Sequence, residues 1–308
     1  MMRRLKKFFV LATLVVSVAT LTYFIAQERP REALLGLDRS AAVAIFVLSV
    51  LSLVLRGLQF RAVALPFDVR LGRAEATGLS ALHTLSNYLP ARGGILVRGV
   101  YLNRVHSMDP LDYTAMTGLW FAGNALSATV LGAASALTLP SPTSWQALAF
   151  FAIVSMLLVL AVGIGARTTS AVSLTRASRW LRRLSSGLRK WRSRGRWRIS
   201  FAASGLGLLL VAALRFSVAA SALGYSISLV EALIIQAVLS LSLIVSVTPG
   251  NVGVREALAF GLGLALRLDP AAALAAAVIE RAVGLLVAVL GSILLGQGVM
   301  RRRQAALE

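Results

Sequence analysis

The chain has 308 residues, of which 57% are hydrophobic and only 14% are charged, and its formal net charge is +20. A soluble domain carries roughly a quarter charged residues, so this composition excludes an ordinary globular protein and predicts one integral membrane domain over residues 1–308. The basic residues cluster between apolar segments, as in cytoplasmic loops, which argues against nucleic-acid binding. The chain contains no cysteine, which excludes a thiolate metal site.

Six apolar stretches are long enough to cross a bilayer, which requires about 20 helical residues. These predicted full spans are residues 8–26, 41–63, 113–137, 145–165, 199–222 and 270–297. The first resembles a signal peptide, but its apolar run continues past the weak cleavage pattern at residues 17–19, so we expect an uncleaved span. Arg56 is interpreted as snorkelling from near the end of the second span. The last span should begin with Asp269 as N-cap and Pro270 at the first helical position.

Two further apolar stretches are interrupted. Residues 74–89 run into a segment that contains Pro90, Gly93 and Gly94, and residues 229–247 run into one that contains Pro249, Gly250 and Gly253. Proline removes a helical hydrogen bond and glycine favours a break. A break at membrane depth is tolerated only where protein or a cavity covers the freed backbone.

The basic residues predict the topology. The loop 167–198 is rich in arginine and lysine and contains no acidic residue, so it should be cytoplasmic, as should both termini and residues 56–73. The uncharged loop 140–144 suits the opposite side. These assignments agree only if residues 74–106 form a re-entrant hairpin from the cytoplasmic side and residues 229–268 form a broken hairpin from the other side. We therefore expect a multi-pass protein of the bacterial cytoplasmic membrane, with anionic lipid headgroups at the basic loop.

The fold class predicted is an all-α polytopic transmembrane bundle with about six full spans and two broken hairpins. Each break is followed by glycine and then arginine, as Gly94 and Arg98 in the first and Gly253 and Arg255 in the second. The two hairpins thus show a weak sequence similarity and enter from opposite sides, which is typical of the inverted repeats of many transporters. The alternative is that this similarity is a coincidence in a chain rich in glycine and arginine.

Candidate binding residues lie beside the breaks. A helix that starts after a break offers free N–H groups and the positive end of its dipole to an anion. Arg92, Arg98 and Arg255 would add guanidinium groups suited to phosphate, and Asn87 and Asn251 would add hydrogen bonds. The alternative interpretation of Arg92 and Arg98 is that they are ordinary positive residues near the cytoplasmic interface, with no role in binding.

Charged residues also occur inside the last predicted span. Glu280 and Arg281 lie about 15 Å along this helix, near the middle of the bilayer. Adjacent residues of a helix do not face each other, so each needs a partner elsewhere, and Arg255 and Glu256 are the candidates. Arg215 is a further cation within a span. These charges could line a cavity or could form a purely structural ion-pair network.

No catalytic, metal-binding or nucleotide-binding motif is present, so no cofactor is expected. His83, in an apolar helix, is expected to be hydrogen-bonded within the bundle.

Residues 87–94 together with Arg98 resemble the first signature of the lysylphosphatidylglycerol synthase TM region family, a flippase-like integral membrane family. Residues 248–257, with the sequence TPGNVGVREA, resemble its second and more specific signature, and Glu280 with Arg281 fits its charged C-terminal helix. Ala91 and Asn251 depart from the pattern, which has glycine at both positions. The resemblance implies a membrane region that translocates lipids. The chain has no aminoacyl-transferase domain, so a stand-alone member that does not synthesise aminoacyl lipid is expected.

The function expected is therefore binding or translocation of an anionic phospholipid, glycolipid, polyprenyl phosphate or hopanoid-type lipid. Two alternatives remain open from the residues. One is an intramembrane lipid transferase with Glu256 or Glu280 as general base. The other is a scaffold that recruits a glycosyltransferase or another lipid-biosynthesis partner through the loop 167–198.

Overall fold

The structure of the protein, a computed structural model, describes residues 38–88, 93–139, 144–154, 156, 195–242 and 248–305. All regular secondary structure within these ranges is helical, which confirms the predicted all-α class. The helices are α1 Arg39–Ala64, α2 Arg73–Ser86, α3 Gly93–His106, α4 Pro110–Ala136, α5 Ser144–Val154, α6 Gly195–Ala222, α7 Leu229–Ser242, α8 Val254–Ala265 and α9 Pro270–Ala305. Short 3-10 turns occupy Leu65–Phe67 and Pro249–Asn251.

Four helices of the described ranges are long and apolar enough to cross a membrane, namely α1, α4, α6 and α9. They coincide with the spans predicted at residues 41–63, 113–137, 199–222 and 270–297. The helix α5 coincides with the start of the span predicted at 145–165, most of whose remainder lies outside the described residues. The span predicted at 8–26 lies outside the described residues.

The helix starts follow capping side chains rather than the edges of apolar runs. Asp109 accepts a hydrogen bond from the backbone N–H of Leu111 at 2.7 Å, and α4 therefore begins before its apolar run. At α9, Asp269 accepts from Ala271 N–H at 2.8 Å and precedes Pro270, as predicted.

The long helices enclose the shorter ones. The helix α1 packs along α6 and contacts α2, while α9 packs along α2 and also contacts α1, α6 and α8. Close approach depends on small residues: a Cβ at Gly57 of α1 would lie 2.6 Å from the Thr77 hydroxyl oxygen of α2. The helix α9 therefore contacts helices of both predicted hairpins, as does α4, which contacts α3 and α7.

Both interrupted stretches consist of two short helices. The first comprises α2 and α3, each of 14 residues, and the second comprises α7 with 14 residues and α8 with 12. This pairing agrees with two broken hairpins. The inverted relation between them remains a prediction.

A buried carboxylate joins the two helices of the first hairpin. Glu75, at the start of α2 and outside the four candidate spans, accepts hydrogen bonds from Tyr101 at 2.7 Å and Gly72 N–H at 3.1 Å, and its Oε1 lies 2.8 Å from His106 Nε2. Burial raises the pKa of Glu75, but the bonds from His106, Tyr101 and Gly72 outweigh it and lower this pKa to about 2. The ionised carboxylate thus holds the far end of α3 against α2.

Candidate functional site

The two breaks touch each other. The Gly250 N–H, in the second break, donates a hydrogen bond of 2.6 Å to the carbonyl oxygen of Asn87 at the end of α2. Gly250 has a positive φ of 61°, and a Cβ there would lie 2.7 Å from ring carbons of Tyr88. Glycine is required on both counts, because other residues strain at this φ and the tyrosine ring leaves no room.

The carboxylate of Glu280 on α9 lies beside this junction and is almost fully buried, with 1% of its residue surface exposed. It accepts from Arg215 of α6, through Nε at 3.0 Å and also through Nη2. On its other oxygen it accepts from Arg255 Nη2 and from Gln236 Nε2, both at 3.0 Å. Four helices, α6, α7, α8 and α9, therefore converge on one carboxylate.

A second ion pair links α8 to α9. Arg281 Nε lies 3.0 Å from Glu256 Oε1, and Arg281 Nη2 donates to the Asn251 carbonyl oxygen at 3.2 Å. With the Arg255–Glu280 bond, this confirms that Arg255 and Glu256 supply the partners that Glu280 and Arg281 require. The adjacent residues Glu280 and Arg281 thus pair with different side chains and not with each other, since neighbouring residues of a helix do not face each other.

The start of α8 differs from the sequence expectation in one respect. The Gly253 N–H, expected to be free for an anion, donates to Glu256 Oε2 at 2.8 Å. This expectation was wrong for Gly253 because the glutamate stands three residues after the N-cap, the position from which a side chain reaches back to cap the helix. The protein's own carboxylate thus binds one of the backbone N–H groups at the start of α8 and places a negative charge at the positive end of its dipole.

Arg56 of α1 also belongs to this region. It is half-buried, and its charge interacts with those of Arg215, Arg255 and Glu280 and with Tyr88. The interpretation of Arg56 as a residue that snorkels to the interface was therefore wrong. Two helical turns earlier on the same face of α1, Ser49 accepts a hydrogen bond of 3.2 Å from Arg215 of α6.

The charges around the junction do not cancel. The arginine cluster, as we call Arg56, Arg215, Arg255 and Arg281, contains four guanidinium groups and is neighboured among the described residues by two carboxylates, those of Glu256 and Glu280. Two positive charges are therefore in excess. An excess charge at membrane depth is costly and typically marks a binding or conduction site.

Several polar atoms of the same region have no hydrogen-bond partner. They are Arg255 Nε, Arg281 Nη1 and Asn251 Oδ1, all buried. The Asn251 side chain is otherwise fixed by its Nδ2, which donates to Ser242 at 2.9 Å. Buried polar groups are normally satisfied, so the two guanidinium nitrogens without a partner among the described residues are available to an acceptor.

Arg98, a predicted phosphate ligand, lies elsewhere. It is 3% exposed, donates to Ser80 at 2.9 Å and covers the Phe60 ring at 4.0 Å. The structure thus places Arg98 between α1, α2 and α3 rather than at the Glu280 carboxylate. His83 is hydrogen-bonded within the bundle as expected, through its Nε2, 3.0 Å from Asn87 Nδ2.

The remaining residues of the first break are only partly described. Gly93 and Gly94 open α3, and Gly94 packs against the carbonyl of His83. Pro90 and Arg92 lie outside the described residues. In the described ranges, no group of three or more His, Asp or Glu residues could hold a metal ion.

Sequence reasoning missed three polar residues that complete the network. Gln236 donates to Glu280 and accepts from Arg255 at 3.1 Å, Ser49 accepts from Arg215 at 3.2 Å, and Tyr88 packs on Gly250. Only Gln236 carried a usable signal, since an amide within the apolar stretch 229–247 requires a polar partner.

A comparison with curated proteins gave no match. A sequence model of the family described as the lysylphosphatidylglycerol synthase TM region matches residues 9–291. The matched range includes both breaks, the arginine cluster and the two carboxylates. The chain therefore belongs to the lysylphosphatidylglycerol synthase TM region family and is an integral membrane protein.

Proposed function

We propose that this protein is a lipid translocase of the bacterial cytoplasmic membrane that binds an anionic headgroup at the arginine cluster. The observation that carries the proposal is the excess of guanidinium groups at the junction of two helix breaks, with Arg255 Nε and Arg281 Nη1 buried and unpaired. Acyl chains would remain among the apolar helix faces while the headgroup enters between the hairpins.

The energetics favour a phosphate oxygen as the missing acceptor. A hydrogen bond between a charged donor and its acceptor contributes about 1.5–3 kcal/mol, and it is stronger away from water. Arg255 has 20% of its side chain exposed and Arg56 is half-buried, so both can be reached. Arg215 and Arg281 are more deeply placed and held by their carboxylates, and would act mainly through charge.

The transferase alternative is less well supported by the geometry. A general base needs a carboxylate that is free to accept a proton. Glu280 already accepts from Arg215, Arg255 and Gln236, and Glu256 is shared between Arg281 and the Gly253 N–H. The scaffold alternative rests on the loop 167–198, which lies outside the described residues, and remains a hypothesis.

A reconstituted system tests the proposal. Protein in vesicles would be supplied with a fluorescent phosphatidylglycerol, and its movement between leaflets would be followed by chemical quenching from outside. Arg255→Gln removes one charge-assisted contact, so we expect headgroup binding to weaken roughly ten- to a hundredfold. Arg61→Gln is the matched control, since Arg61 lies near the end of α1 over the ring of Trp197, 5.6 Å from its centroid.

A variant of Glu256 tests transport separately from binding. Glu256→Gln keeps the size of the side chain and removes its charge, so it should spare lipid binding but slow transport if movement is coupled to protons. Transport at the wild-type rate by both Arg255→Gln and Glu256→Gln would contradict the proposed site. Absence of any leaflet exchange by the wild type with every anionic lipid tried would contradict the translocase itself.

A further inference from the structure

We infer that the lipid bound at the arginine cluster carries a doubly charged phosphate headgroup, a phosphomonoester or a diphosphate, and that Arg56 recognises its second charge. This inference rests on the proposed function and narrows its substrate class. It arises from the count of charges at the junction and from the state of Arg56.

Three members of the cluster are already paired. Arg215 and Arg255 share the carboxylate of Glu280, and Arg281 pairs with Glu256. Two guanidinium groups therefore share the single negative charge of Glu280, which leaves one positive charge in excess at this carboxylate. Arg255 keeps 20% of its side chain exposed and has an unpaired, buried Nε, so it is the arginine of this pair that a ligand can reach.

Arg56 supplies the second excess charge. Within the described ranges it makes no hydrogen bond or ion pair, although it interacts electrostatically with Arg215 and Arg255, which repel it, and with Glu280, which attracts it. A cation held among other cations needs a counter-charge nearby. The Glu280 carboxylate, already bound by two arginines, cannot provide it in full.

The seven other described carboxylates lie at the ends of helices, and none forms an ion pair with the arginine cluster. Glu75 bonds to Tyr101 and His106, and Glu231 accepts from Ser228. The remaining five stand at the first or last turn of a helix or 3-10 turn, namely Asp38, Asp68, Asp109, Asp112 and Asp269. The counter-charge must therefore come from outside the described protein. A phosphodiester brings one negative charge, whereas a phosphomonoester near neutral pH brings about 1.5–2. Only the latter class matches two excess cations.

Binding of defined lipids to the purified full chain tests this inference. The probes are phosphatidic acid, phosphatidylglycerol and phosphatidylcholine with identical acyl chains, titrated into protein in neutral detergent and quantified by native mass spectrometry. At pH 8 we expect phosphatidic acid to bind at least tenfold more tightly than phosphatidylglycerol. At pH 5, where the phosphomonoester holds about one charge, this preference should largely disappear.

Arg56 is tested by two variants. Because Arg56 makes no hydrogen bond or ion pair within the described chain, Arg56→Gln should fold normally. It should weaken phosphatidic acid binding about tenfold more than it weakens phosphatidylglycerol binding, so that the preference for phosphatidic acid is lost. Arg56→Lys keeps the charge and should keep the preference, and Arg61→Gln should behave as the wild type.

The possible failures are distinguishable. Equal binding of the two anionic lipids, both above phosphatidylcholine, would overturn the dianion inference and leave the proposed function standing. An undiminished preference in Arg56→Gln would overturn the role of Arg56. Failure of both anionic lipids to bind better than phosphatidylcholine would contradict the proposed headgroup site itself.

Discussion

Replacing Glu280 with glutamine should damage the protein more than any other single loss of charge in the described chain. The substitution keeps the size of the side chain and removes the negative charge that Arg215 and Arg255 share. Breaking one side of a buried ion pair costs about 3–5 kcal/mol in soluble cores. Here two guanidinium groups lose their partner at once, so we expect a value at or above the upper end of that range.

This cost can be read as a change in thermal stability. For domains of 150–250 residues, about 1 kcal/mol shifts Tm by 2–4 °C, so Glu280→Gln should lower Tm in detergent by roughly 10–20 °C. Glu231→Gln is the matched control, since Glu231 stands at the exposed start of α7 and accepts only from Ser228. The control should shift Tm by no more than about 2–4 °C, the value of one surface contact.

A double variant distinguishes the ion pair from general disruption. Removing Arg255 as well, in Glu280→Gln with Arg255→Met, eliminates one of the two stranded cations. The loss of stability in the double variant should therefore be smaller than the sum of the losses in the two single variants. A Tm for Glu280→Gln equal to that of the control, or strict additivity of the singles, would refute the view that this carboxylate holds the bundle together.

Four further predictions follow from other contacts. Arg281→Ala and Glu256→Gln should be coupled by about 0.5–3 kcal/mol in thermal unfolding, whereas additive losses would contradict the 3.0 Å pair. Gly250→Ala should lower stability by at least 1–2 kcal/mol because of its φ of 61°, and Tyr88→Ala added to it should recover only the steric part of that loss. Cysteines at Thr138 and Ser185 should be labelled from opposite sides of the membrane, and labelling from one side would contradict the topology inferred from the basic loops. Glu75, whose pKa falls from 4.5 to about 2, stabilises the fold above pH 4.5 and loses this contribution as the pH drops toward 2, so Glu75→Gln should flatten acid unfolding over that interval.

The spans and breaks could be predicted because each depends on local sequence. A run of about 20 apolar residues in a bilayer forms a helix that spans it, and proline together with glycine interrupts such a helix at a position that the sequence identifies. Arg255 and Glu256 were likewise predictable as partners for the charges of α9, since buried charges require opposite charges and few were available. The need for partners outside α9 followed from the rule that adjacent helical residues do not face each other, whereas the individual pairs came from the structure.

What the sequence could not show depends on packing between distant helices. Arg56 and Arg98 both look like interfacial arginines, yet one interacts with the Glu280 network and the other covers the ring of Phe60. Their surroundings differ because α1 and α3 contact different helices, and no short-range sequence pattern predicts these contacts. The capping of Gly253 by Glu256 was readable in principle, because a glutamate three residues after a helix start is a known cap.

The arrangement of charges bears on whether the network is structural or functional. A network that served stability alone would be expected to balance its charges, because each uncompensated cation adds a cost that apolar residues would avoid. The described cluster instead combines three ion pairs on two carboxylates with two excess cations and two unpaired guanidinium nitrogens. This arrangement agrees with the proposal that the pairs Arg281–Glu256 and Arg215–Glu280 fix the scaffold and that Arg56 and Arg255 bind the ligand.

The position of the junction suggests how binding would be linked to movement. The two hairpins are joined directly by the bond from Gly250 N–H to the Asn87 carbonyl, and α9 contacts α2 from the first and α8 from the second. Opening the cluster by separating the hairpins must therefore break this bond or carry Asn87 along with Gly250. A headgroup that bridges Arg56 on α1 and Arg255 on α8 would hold the second hairpin against α1, which itself packs on α2 of the first hairpin, and its release would remove that stabilisation. Lipid binding and the relative position of the two hairpins are thus expected to be coupled, and alternating access requires such a coupling.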